Sequence, residues 1–78
     1  MKLSKGEFCQ FNLKSKINLL GDNGTLLMTK KLDEAYEIKL FLIYDFYVEA
    51  FCNYKYNKIE RVQPIINNNW MDFYFNQT

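Results

Sequence analysis

The side chains of this 78-residue chain that could do chemistry are nine carboxylates, two thiols and a set of lysines interleaved with tyrosines; histidine is absent. Without an imidazole, Ser-His and Cys-His nucleophilic pairs are ruled out, and so are most zinc sites. Cys9 and Cys52 fall in separate elements with no CxxC spacing, a poor basis for a metal site, and no glycine-rich phosphate loop occurs. Glu49 and Glu60 are carboxylates that could act as an acid and base pair. Solvated or cross-strand-paired carboxylates account for them better, because a short β-meander provides little cleft for a substrate. The expectation is a protein that is not an enzyme, with no catalytic, cofactor-binding or metal-ligating residues.

Binding chemistry has more support. In the stretch from Tyr36 to Val62, alternate residues differ in kind. Ile38, Leu40, Leu42, Phe46, Val48, Ala50 and Cys52 make an apolar set. Lys39, Phe41, Tyr47, Glu49 and Phe51 mix charges with large rings, the usual make-up of a protein interface. These five are the expected partner-binding residues, provided no other segment folds over them. A second pattern is Tyr54-Lys55-Tyr56 with Lys58, joined by Lys14 and Lys16. Rings alternating with cations can stack on single-stranded bases and hold phosphate, although an ordinary polar hairpin turn has the same composition. The third is Trp70-Met71-Asp72-Phe73-Tyr74-Phe75, which reads either as a core-capping helix or as an anchor for a partner or a second copy.

The elements that must position these residues follow from periodicity and turn chemistry. Ser4 and Glu7 have capping-box spacing, and Cys9, Leu13, Ile17 and Leu20 then form one helical stripe. One helix is predicted over about 7–20, stopped by Gly21, with Asp22-Asn23-Gly24 as the turn. Strands are predicted over about 25–31, 36–43, 46–53 and 58–63, separated by turns at Asp33-Glu34-Ala35 and 53–57. Ile59 and Val62 cannot share a face in strict alternation, so a bulge is expected near Glu60-Arg61, and Pro64 ends the ladder. For the central hairpin, a two-residue Tyr44-Asp45 loop would set Leu40 opposite Glu49, a charge on the apolar face. A three-residue loop, with Asp45 left-handed, pairs Leu42 with Phe46 and Leu40 with Val48, and is the preferred register. Trp70, Phe73 and Tyr74 have helical spacing behind Asn69, giving a short C-terminal helix with an extra strand as the alternative. The predicted fold is α+β: an N-terminal helix, a four-stranded antiparallel β-meander and a short C-terminal helix in a single domain, 1–78.

Composition bounds the rest. Hydrophobic residues are 49% and aromatics 18%, with 3 Gly and 1 Pro, which describes a folded chain. The net charge of +1 argues against a DNA mimic or a strongly phosphate-tracking protein. Charge is uneven: residues 1–32 carry six Lys against Glu7 and Asp22, whereas 33–78 carry four cations against seven acids. The basic half could meet an acidic partner or RNA. No apolar run is long enough for a membrane span and no signal-like segment opens the chain, so the expected location is cytoplasmic, with both cysteines as buried thiols. Abundant Lys, Asn, Ile, Tyr and Phe beside a single Arg point to an AT-rich genome.

Tyr44-Asp45-Phe46-Tyr47-Val48-Glu49, followed by Asn57-Lys58-Ile59, resembles a pattern in small uncharacterised proteins of AT-rich bacteria. Taken whole, the chain also resembles small anti-CRISPR proteins of phages and prophages, which are short, single-domain and free of catalytic motifs. This likeness is one of type and carries over no functional residues. It implies inhibition of a host defence nuclease by binding, the partner being a CRISPR effector, RNA-targeting effectors included, or its guide-RNA complex. Other functions consistent with the residues are a small RNA-binding protein and a homodimeric or operon-encoded adaptor subunit.

Overall fold

The computed structural model describes residues 2–65. Two helices, α1 (Lys5–Cys9) and α2 (Leu13–Asn23), precede four strands: β1 (Gly24–Lys31), β2 (Tyr36–Ile43), β3 (Phe46–Asn53) and β4 (Lys58–Pro64). The strands form one antiparallel sheet in the order β1-β2-β3-β4, the meander read from the sequence. The helix predicted around Trp70 lies outside the described residues. Among the described residues, no helix is long and apolar enough to cross a membrane.

The N-terminal region departs from the single predicted helix. Ser4 caps α1 as expected, its Oγ accepting from Glu7 N while the Glu7 carboxylate accepts from Ser4 N. The chain then breaks, because Asn12 caps a second helix, its Oδ1 accepting from Ser15 N at 2.9 Å. The break dissolves the predicted stripe. Cys9 and Leu13 are exposed, and Phe8 takes the fully buried place, edge-on to Phe46 with ring centroids 5.7 Å apart. Gly21 is not a stop, since it lies inside α2 with no left-handed φ. The helix runs on through Asp22 and Asn23. Gly24 leaves it directly in extended conformation (φ −89°, ψ 154°), its N–H donating to Leu20 O.

The strand limits match the alternation closely, but the central register does not. Tyr44 and Asp45 form a two-residue loop, so Ile43 faces Phe46, Leu42 faces Tyr47 and Leu40 faces Glu49. The left-handed residue is Tyr44 (φ 56°), not Asp45. The preferred three-residue loop rested on the premise of one apolar sheet face. Instead, both faces are packed. On the helix side, Ile43, Phe46, Val48, Ala50, Cys52 and Val62 bury with Phe8 and Leu20. On the far side, Ile38 and Leu40 bury with Ile65, flanked by Met28, Tyr47 and Phe51. With apolar side chains wanted on both faces, a tight loop compatible with strand twist sets the register.

Two bulges complete the sheet. In β4, Ile59 pairs with Cys52 and Arg61 with Phe51, so Glu60 is the extra residue. The expected bulge thus places Ile59 and Val62 on the same core. Pro64 is the last residue of β4, as expected. A second bulge, absent from the sequence reading, lies in β1: Leu26 pairs with Phe41 and Met28 with Leu40, leaving Leu27 over.

Candidate functional site

The register divides the five residues expected to form one patch. Residues directly opposite across a ladder share a face. Lys39 and Phe41 therefore lie on the helix side with Ala50 and Val48, whereas Tyr47, Glu49 and Phe51 lie on the far side with Leu42, Leu40 and Ile38. Lys39 is half-buried and pairs with Glu37 at 3.2 Å. Phe41 packs against the helix-side core. Across the sheet, the Arg61 guanidinium stands 4.5 Å from the centroid of Phe51. All five side chains are half-buried, and no single exposed aromatic face unites them.

The β3–β4 turn is more ordered than its polar composition implies. Asn53 is buried, and its Oδ1 accepts from Lys55 N and Tyr56 N at 3.1 and 3.3 Å. Asn57 supplies the left-handed residue (φ 53°). Tyr54 is tied to the β1–β2 loop: its O–H donates to Asp33 O at 2.7 Å and its N–H to Ala35 O at 2.9 Å. Asp33 organises that loop by accepting from Ala35 N and Tyr36 N, and these two bonds hold its carboxyl below the ordinary 3.8. Lys31, which the sequence did not single out, stands 5.2 Å from the Tyr54 ring centroid. Tyr56 is 74% exposed, and Lys55 and Lys58 are exposed beside it. The predicted basic residues of α2 behave differently. Lys14 is exposed, but Lys16 donates to Val62 O at 3.3 Å and lies 5.9 Å from the Phe8 ring, so it secures α2 to β4.

Both thiols are unbridged, but only one is buried. Burial raises the pKa of Cys52, opposed by nearby Lys39 and reinforced by Glu37. Cys9 is exposed, contrary to the expectation, because the chain breaks immediately after α1. Cys52 borders a shallow groove of about 240 Å³ between Glu37, Lys39, Asn53 and Lys58. Among the described residues, no group of three His, Cys, Asp or Glu side chains could hold a metal ion.

The largest exposed apolar side chains on the sheet are at its β1 edge. Leu26 and Leu27 are 49% and 44% exposed, and Leu32, just past the strand, is 43% exposed. The opposite edge is guarded. β4 carries the Glu60 bulge and Pro64, and the ammonium groups of Lys16 and Lys5 donate to Val62 O and Ile65 O. β1 has a bulge of its own at Leu27 and ends in Lys30 and Lys31, but it contains no proline. Sequence reasoning missed this edge because Leu26, Leu27 and Met28 read as a plain strand. The bulge at Leu27 follows from pairing with β2 and has no local signature. Comparisons with protein-family models, curated proteins and solved structures find no match to this chain.

Proposed function

We propose that this chain is a non-enzymatic protein-binding module that lays its β1 edge against a larger protein. The observation that carries this reading is the exposure of Leu26 and Leu27, 49% and 44%, on a strand with no described neighbour on its outer side. An apolar edge of this kind offers backbone hydrogen bonds for affinity and leucine side chains for complementarity. The likeness in type to anti-CRISPR proteins makes a host defence nuclease the partner to test first, with occlusion as the mode of action. Tagged protein and its Leu27→Lys variant are exposed to nuclease-treated lysate and the retained proteins identified. A stoichiometric large protein on the wild type, lost on a variant with an unchanged melting curve, supports the reading. Capture that ignores Leu27→Lys overturns it.

A second reading, direct RNA binding, is favoured by Tyr56, 74% exposed between Lys55 and Lys58, with Lys31 on the adjoining Tyr54 ring. Three lysines on a single strand predict a slope of log affinity against log salt of about −2, from roughly 0.7 per phosphate neutralised. Absence of binding at low ionic strength, or binding indifferent to Tyr56→Ala, rejects this reading.

A further inference from the structure

We infer that the far face of the sheet is a docking surface for the chain's own C-terminal segment, residues 66–78, which supplies the layer missing from that side. The observation is burial without a described cover. Leu40 is 0% exposed, Ile38 4% and Ile65 8%, and all three belong to the far-side cluster. Both helices pack on the other side, where Phe8, Ile17 and Leu20 join the helix-side cluster. The far-side cluster contains strand residues and Ile65 but no helix residue. On a bare sheet, neighbours of the same face stand beside a central leucine and not above it, so its outer end meets water. Complete burial of Leu40 requires a layer on top.

The occupant follows from where the chain leaves the sheet. These exposures are those of a single chain, so the layer comes from the same molecule, and residues 2–65 place no element there. Ile65 N–H donates to Tyr47 O at 2.9 Å, so the chain is still beside β3 at this residue, with the Ile65 side chain already on the far face. Leu40, on β2, lies two strand spacings from β4, about 10 Å away. Five extended residues, from Ile65 to Trp70, reach about 17 Å. The segment has the apolar area to cover the face, in Trp70, Met71, Phe73, Tyr74 and Phe75. Lys30, Tyr47 and Glu49, which share this face with Ile38, Leu42 and Leu40, each hold a polar, charge or ring contact as well. Trp70 is then a core residue and not an anchor for another molecule, and Tyr47, Glu49 and Phe51 face the chain's own segment. This goes beyond the β1-edge reading and does not depend on it.

Two measurements on the full chain test the docking. In solution NMR with labelled isoleucine and leucine methyls, ring protons of Trp70, Phe73 or Phe75 should show nuclear Overhauser contacts to the methyls of Ile38, Leu40 and Ile65. In a mixture of labelled and unlabelled chains, a filter for intermolecular contacts should leave none of them. Trp70 is the sole tryptophan, so its fluorescence reports on the segment directly. Its quenching by acrylamide should be several-fold weaker in the folded chain than in urea. Trp70→Ala should lower the urea midpoint, because it removes a core ring. Equal quenching of Trp70 in folded and unfolded chains overturns the inference, and so do ring contacts to helix-side methyls such as those of Val48 in place of the far-side ones. Contacts that survive the intermolecular filter assign the layer to a second copy and overturn it as well. A Trp70→Ala variant with an unchanged midpoint refutes a core position for that ring.

Discussion

Deleting Glu60 should leave the fold intact, although it removes a residue from a seven-residue strand. Glu60 is the surplus residue of the β4 bulge. With it gone, Ile59 still faces Cys52, Arg61 still faces Phe51 and Val62 still faces Ala50, now in unbroken alternation. The core keeps Val62, which is 3% exposed, and Phe51 keeps its guanidinium. The expected change in unfolding free energy is within about 1 kcal/mol, covering altered local twist. A strand without a bulge behaves otherwise. Deletion would shift everything after residue 59 to the opposite face, expelling Val62 at a cost of about 1.5–3 kcal/mol and losing the Arg61–Phe51 contact at about 0.5–1 kcal/mol. Arg61 would also be turned toward the helix-side core, and a chain of this size has little stability in reserve. Urea unfolding of wild type and deletion variant separates the cases. A loss above about 3 kcal/mol, or a reduced slope against urea, refutes the bulge assignment.

Three other outcomes test the structure. Gly21→Ala should stabilise by about 0.5–1 kcal/mol, because Gly21 is helical and a Cβ there meets open space. Gly24→Ala should destabilise, since its Cβ would stand 2.7 Å from Leu20 O; thermal melts decide both. In thiol titration with a disulfide reagent, exposed Cys9 should react promptly, whereas buried Cys52, its pKa raised by desolvation, should wait for unfolding; two fast equivalents contradict this. The folded carboxyl of Asp33 titrates below its ordinary 3.8, so its contribution to stability is complete above that value and is lost as pH falls through the folded value. Asp33→Asn should remove this acid-side dependence, and a carboxyl NMR titration without the downward shift refutes the two-bond arrangement.

The sequence by itself determined what depends on near neighbours along the chain. Strand limits at 36–43 and 46–53 followed from alternation between turn residues, and the capping box identified Ser4 and Glu7, although α1 starts at Lys5 and not near residue 7. The β4 bulge was legible because Ile59 and Val62 are both apolar at an odd spacing. The break before α2 had a local signal that was overlooked, Asn12 three residues ahead of Ser15. The tertiary structure alone decided the hairpin register, the bulge at Leu27 and the division of Lys39 and Phe41 from Tyr47, Glu49 and Phe51. Their common physical cause is that alternation defines two faces on each strand but not which face of one strand joins which face of the next. When both sides of a sheet bury apolar groups, hydrophobicity no longer breaks that tie. The loop and the packing on each side break it, and they bring together residues that lie far apart in the chain.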